Sequence, residues 1–321
     1  MKHWITAGVM AIATWSSTPG LAQSTFPDRP LRLVVSFAPG SVTDTMGRFY
    51  ADKLKDQLKQ PIVVENKPGA SGAIGVDIVA KSRPDGYSMV LTSSAILINP
   101  LLGKQPFDLF KDLSPIVRTA QTPYALVVNN RMPVNSFDEF IEHARKNPGK
   151  LTCANYGVGS PPHIALELLK KEAKIDILSV PFNNSTAIVG ALIDGQVDCS
   201  LEPPNHVLAG NVANGRFRVI AHTGDGVMDM FPKADPFGRK YPRAVIVGWQ
   251  GVFAPANTPR PVVERLHQEW VRVLQAPDIA QKIRDVGFVP VGDPLEAFTQ
   301  SIAQEYEKLA SVIRDNNIRR D

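Results

Sequence analysis

Two short stretches, SFAPGSVTD (residues 36–44) and ANYGVGSPPH (residues 154–163), gather glycine, serine and threonine where a strand-like run hands over to a helix-like one. Backbone N–H groups in the first turn of a helix have no intrahelical partner and carry partial positive charge, so small residues there let an anion approach closely. His163, just inside the second helix, is the histidine placed to meet that anion. A third handover, Asn183, Asn184, Ser185 and Thr186, offers amide and hydroxyl donors at another helix start. The structural alternative is that these residues only cap: Thr43 or Asp44 stopping the first helix, Asp44 pairing with Arg48 at i, i+4, and His163 serving as a cap or core residue. Two similar loops on two separate α/β units favour the anion. Asp198 and Glu202, in and at the end of a later strand, are assigned to turn formation, capping and backbone hydrogen bonding.

Other chemistries lack their residues. The six histidines include no pair at i, i+4, and neither Cys153 nor Cys199 has a partner at ligand spacing, so no metal site is expected. Gly157-Val158-Gly159 begins like a dinucleotide loop, but Pro162 stands where the third glycine would be, and no phosphate-binding loop of the G-x-x-x-x-G-K type occurs. Ser160 has no G-x-S-x-G around it, and His163 lies on the same helix rather than on a separate strand, so no enzyme is expected. No cofactor is expected either. The two cysteines each lie in an apolar run, which suits a buried free thiol or one disulfide.

The elements that must hold these loops alternate. Apolar strands at 31–37, 61–65 and 87–92 are separated by a segment in which Met46, Phe49, Tyr50, Leu54 and Leu58 recur at helical spacing. A second cycle follows residue 120, with strands at 124–130, 151–156, 177–182, 197–201 and 217–222. A long strand then returns within VIVGWQGVFAP, followed by helices marked by Val262, Leu266, Trp270 and Val273 and by Leu295, Phe298, Ile302 and Leu309. This alternation predicts mostly parallel sheets covered by helices on both faces. Two units are expected, 26–121 joined by 249–321, and 122–248, with a ligand between them.

With 44% hydrophobic and 21% charged residues, the chain has the balance of a globular protein able to bury a sizeable core. A net charge of +4 spread along the length, without a basic cluster, excludes nucleic acid as an expected partner. At the start, Lys2 and His3 precede an apolar run from Ile5 to Trp15 and small residues at Gly20 and Ala22, which reads as a secretory signal, residues 1–22. The run is about half the ~20 residues a membrane span requires, so export rather than a retained membrane anchor is expected.

The blocks SFAPGSVTDTMGR, PIVVENKPGASGAIGVDIVAKSRPDGYSMVLTSSA, NPGKLTCANYGVGSPPHIALELL, VPFNNSTAIVGALIDGQVD and GWQGVFAPANTPRPVVERL, in this order, resemble the substrate-binding receptors of tripartite tricarboxylate transporters, also called the Bug family. The resemblance covers nearly the whole chain after residue 22. It implies a two-lobed, type II periplasmic-binding fold that closes over a small organic carboxylate and delivers it to a membrane permease. It further implies that first-lobe loops at Pro39, Gly40, Ser41 and Thr43 and at Thr92, Ser93, Ser94 and Ala95 hold one carboxylate. In the second lobe, it implies roles for Gly159, Ser160 and His163 and for Asn183 to Thr186. Where the family usually has Pro-Ala-Gly-Gly this chain has Ala38-Pro39-Gly40-Ser41, and where it often has Tyr-Lys-Gly this chain has Phe182-Asn183-Asn184. The expected ligand is a dicarboxylate, aliphatic or aromatic, taken by a monomer. An extracellular sensing module and a secreted hydrolase using Ser160 are the alternatives. Phe37, Phe182 and Trp249 are read as pocket walls or core.

Overall fold

A computed structural model of the chain describes residues 26–182, 184–315 and 318; the signal segment read at 1–22, and Asn183, lie outside them. The chain first lays down β1 (Leu31–Val35), β2 (Ile62–Asn66), β3 (Ser88–Ser93) and β4 (Leu113–Pro123). It then crosses to build β5 (Ala125–Asn129), β6 (Leu151–Asn155), β7 (Ile177–Pro181), β8 (Cys199–Glu202), β9 (Phe217–His222) and β10 (Asp235–Pro236). Finally it returns as β11 (Val247–Pro255) and β12 (Val289–Pro290). One sheet has the order β12-β4-β11-β3-β1-β2 and the other β10-β9-β5-β8-β6-β7.

Both sheets are mostly parallel by strand direction. Among the described residues, four of the first sheet's six strands run one way, with β11 and β12 reversed, and β5 alone is reversed in the second. In each sheet, the strand that enters straight from the other sheet, β5 or β11, wedges against the local direction.

Strands buried on both faces need apolar side chains on both, which is why LRLVV reads as a continuous run. Leu31 and Leu33 pack with Met46, Tyr50 and Trp270 from α1 (Val42–Leu58) and α9 (Arg260–Gln275). Val34 packs on the opposite side, in the cluster that holds Val76 and Ile96 of α2 (Ala73–Ala80) and α3 (Ala95–Leu102). Arg32, the exception, meets Glu65 of the edge strand through two parallel hydrogen bonds of 3.0 and 2.9 Å. The second sheet is covered by α5 (Phe137–Lys146), α6 (Pro161–Ala173), α7 (Ser185–Asp194) and α8 (His206–Ala213); α11 (Leu295–Asp315) closes the first.

The two crossings begin side by side, because β4 and β11 are neighbours and Val247 lies opposite Pro123. Thr223, fully buried, ties them together. Its N–H donates to the Tyr124 carbonyl and its carbonyl accepts from Ile246 N–H, at 2.9 and 3.1 Å. Its hydroxyl accepts from Tyr124 N–H and donates to the Ile246 carbonyl.

The cysteines are free thiols. Cys153 and Cys199 are register partners on β6 and β8, both fully buried, and burial pushes the Cys199 thiol up. No helix among the described residues is long and apolar enough to cross a membrane.

Candidate ligand-binding site

A cavity of about 540 Å³ opens between the two sheets. From the first lobe it is lined by Phe37, Ser71, Ser93, Ala95 and Asn99, and from the second by the run Tyr156 to Pro161. These residues follow the carboxyl ends of β1, β3 and β6, where loops of parallel strands form a crevice. None of the described residues lining it carries a charge.

On the first-lobe side, the handover from β3 to α3 brings Ser93 and Ala95 to the wall, and Ser93 Oγ accepts from Ala95 N–H at 3.4 Å. Behind them Thr92 and Ser94 are buried: Thr92 Oγ1 accepts from Ser36 Oγ at 2.9 Å, and Ser94 N–H donates to the Trp249 carbonyl. Ser71 reaches the cavity through an uncommon turn in which Gly69, Ala70, Ser71 and Gly72 all have positive φ. Asn99, 4% exposed in α3, holds that turn by donating from Nδ2 to the Ser71 carbonyl at 3.2 Å. Gly75, next along, cannot carry a side chain, because a Cβ would lie 2.9 Å from both the Lys67 carbonyl oxygen and the Ser36 Cα.

The loop 38–44 behaves differently from the sequence expectation. Pro39 and Gly40 are exposed, Ser41 is half-buried, and these three residues are not among those lining the cavity. The helix cap is Ser41, not Thr43 or Asp44: Ser41 Oγ accepts from Asp44 N–H at 3.2 Å. The Gly40 N–H donates to Asp44 Oδ2 at 2.9 Å, so the loop already holds an anion of its own. Burial pushes the Asp44 carboxyl up, but Gly40 N–H, Asn66 and Arg48 together outweigh it and hold the group below the usual carboxylate range. The expected Asp44–Arg48 pair forms at 3.1 Å. Thr43 is buried and its hydroxyl accepts from Gln250 Nε2.

In the second lobe Gly159 and Ser160 line the cavity, but their loop spends its donors internally. Gly157 N–H goes to Asn155 Oδ1, Gly159 N–H to His163 Nδ1, Ser160 N–H to the Gly157 carbonyl and His163 N–H to Ser160 Oγ. Pro161 and Pro162, the first helical residues of α6, have no N–H at all. This wall therefore supplies shape, together with the Tyr156 and Ser160 hydroxyls. His163 lies behind the wall, buried, with its Nε2 4.0 Å from Glu167; burial pushes its pKa down and favours the neutral ring. With Ser160 Oγ engaged as a cap and His163 Nδ1 taken by Gly159, the serine has no base aimed at it.

The α7 start lies beside, not in, the cavity wall. Asn184 caps α7 by accepting from Ala187 N–H at 2.9 Å, and Thr186 is exposed. Ser185 Oγ donates to Glu202 Oε2 at 2.8 Å, and the Tyr156 hydroxyl donates to the same oxygen at 2.6 Å. Glu202, assigned by sequence to a turn or cap, is instead 1% exposed beneath the cleft floor, and burial pushes its carboxyl up to about 7. Asp198 keeps its expected part, accepting from both the N–H and the hydroxyl of Thr152. Phe37 is a wall, whereas Trp249 is core and donates from Nε1 to Glu305.

Two glycines lie where the lobes come close. A Cβ on Gly159 would lie 1.9 Å from Leu102 Cδ1 of α3, and one on Gly287 would lie 1.5 Å from the Pro204 carbonyl oxygen. The family described as tripartite tricarboxylate transporter family receptor matches residues 46–318. The chain belongs to that family. The receptor is 30% identical over 308 residues to BugT of Bordetella pertussis, covering 95% of this chain and 94% of BugT. Among solved structures, it is similar to an R. palustris protein with adipate, with a TM-score of 0.77 at 26% identity over 92% of this chain and 99% of that one. MatC from Rhodopseudomonas palustris, with bound malate, gives 0.71 at 26% identity over 90% and 100%. The two-lobed fold of the receptor is that of these periplasmic binding proteins, and family and fold are those of binding proteins rather than enzymes.

Proposed function

We propose that the receptor captures a small dicarboxylate between a first lobe of residues 26–121 and 249–321 and a second of 122–248, and delivers it from the periplasm to a tripartite permease. The observation that carries this reading is the cavity of about 540 Å³ with lining from both lobes and only neutral groups on its walls. That volume falls within the range of small-molecule sites. The Ser71, Ser93 and Ser160 hydroxyls, with the start of α3, are the donors assigned to the ligand; Gly159 and Ala95 keep the walls low. A hydrogen bond to a charged group contributes roughly 1.5–3 kcal/mol, and micromolar binding needs about 8 kcal/mol, so a few donors suffice. The malate and adipate held by the structural neighbours are both dicarboxylates, which supports the ligand class.

The test is a thermal-shift screen against aliphatic and aromatic mono-, di- and tricarboxylates, followed by calorimetry. A ligand at 100 times its Kd stabilises by about 2.7 kcal/mol, which a melting curve resolves. A dicarboxylate is expected to give the largest shift. No shift and no heat with any acid would overturn the proposal.

A further inference from the structure

Glu202 is not accounted for by the fold or by the cavity wall. It ends β8 at the cleft side of the second sheet, 1% exposed, and no lysine or arginine among the described residues pairs with it. Oε2 takes two hydroxyl protons, from Tyr156 and Ser185, while Oε1 is buried. Two more polar groups sit on the same face: Ser200, two residues earlier, whose hydroxyl also interacts with the Glu202 carboxyl, and His222, which meets the Gly226 backbone and which the register places across Ala125 from Glu202. A buried carboxylate held only by neutral hydroxyls, with no cation beside it, is costly unless it neutralises.

Of the two hydroxyls, Tyr156 also lines the cavity. While its proton points at Glu202, it can show the ligand only acceptor lone pairs. A ligand carboxylate is itself only an acceptor, so the two repel. A protonated Glu202 carboxyl donates as well as accepts, which lets the tyrosine turn its own proton toward the cavity. We propose that Glu202 sets the hydrogen-bond polarity of the second-lobe wall, so that a ligand whose far end is a carboxylate binds together with one proton taken from solvent onto Glu202. A ligand whose far end is a hydroxyl or an ammonium binds without that proton. This rests on the carboxylate reading above and adds what selects the ligand's far end.

Burial pushes the Glu202 carboxyl up to about 7, which puts the exchange within reach of neutral solution. The titratable groups around it are few. Tyr156 faces it from the loop after β6, Tyr124 lies beyond Tyr156 at the head of β5, and His222 faces the same surface from β9. Burial pushes both tyrosines up and the histidine down, so all three stay neutral while Glu202 titrates. Ser185 of α7 and Ser200 of β8 add no charge, and Asp225, Asp235 and Arg239 act on His222.

Calorimetric titration of the protein with malate and with adipate, in two buffers of different ionisation heat between pH 6.5 and 8.5, counts the protons taken up. The expected result is close to one proton per ligand at pH 8 and little at pH 6.5, with affinity falling up to roughly tenfold per pH unit above 7. In Glu202→Gln the amide both donates and accepts, so uptake vanishes and affinity becomes independent of pH; in Tyr156→Phe uptake falls below half a proton and binding weakens at every pH. Dicarboxylate binding without uptake in the wild-type protein, or uptake that persists in Glu202→Gln, would overturn the inference and leave the carboxylate reading standing. Absence of binding by either acid at any pH would take down both.

Discussion

Ser93 lines the first-lobe wall of the cavity and Glu202 lies buried beneath its floor, and their oxygens play opposite parts: the Ser93 hydroxyl can donate into the cavity, while the Glu202 carboxyl accepts hydrogen bonds from Tyr156 and Ser185. Ser93→Ala should weaken carboxylate binding roughly tenfold, the value of one charge-assisted hydrogen bond, with the unfolding midpoint unchanged; calorimetry beside a urea titration checks both. Glu202 also predicts a pH dependence of stability. Its folded pKa of about 7 lies above the ordinary 4.5, so the stability it allows is fully present below pH 4.5 and is lost as pH rises through 7. Relative to Glu202→Gln, the wild-type protein should lose on the order of 3 kcal/mol between pH 4.5 and 8, read from urea midpoints at each pH. Sequence could single out Ser93, Gly159 and Ser160, which line the cavity, because small polar residues at strand-to-helix handovers are local signals. It could not show which of several such loops the other lobe would cover, and Pro39, Gly40 and Ser41 fall outside for that reason. Asp44 was a readable warning, an acid already placed to occupy the loop's amides. Ser71, Asn99 and Tyr156 are brought to the site by tertiary packing: a lone asparagine in the apolar run AILINP is the one local trace, and here it holds the 69–72 turn.

The α6 start and the turn before α2 show what elements contribute. Ser160→Ala removes the cap of α6 and should cost about 1 kcal/mol in chemical denaturation, within the range for N-caps. Gly75→Ala should cost more, a few kcal/mol, because the new methyl meets backbone on two sides and neither the Lys67 carbonyl nor Ser36 can move without the strands behind them; a lowered melting temperature with an unaltered far-ultraviolet spectrum is the expected signature. Most strands were legible to within two residues at either end, since strands buried on both faces write unbroken apolar runs. β4 was not. LSPIVRTAQTP carries Arg118 and Gln121 inside it, which in sequence resemble a surface loop. In the fold Arg118 forms an ion pair with Asp293 at 2.9 Å and donates to Ser301, and its guanidinium lies 5.5 Å from the Phe298 ring, so a charge that reads as exposure is held against the core.

At the scale of the whole molecule, the contact of Gly159 with Leu102 is the point where the lobes meet over the cavity. Gly159→Leu should prop them apart: X-ray scattering would show a larger radius of gyration that no longer contracts with ligand, and affinity should fall more than tenfold, while an unchanged radius would remove this contact from closure. The returning strand was readable because the chain resumes strand grammar after residue 245; its direction was not, since parallel and antiparallel neighbours use the same apolar residues. The two crossings bear on kinetics. Because they leave one ladder side by side and Thr223 ties them together, the two crossings must bend together when the lobes part. Ligands of different chemistry must then wait for the same gate, and their release rates should converge on one shared ceiling, however far apart their affinities lie.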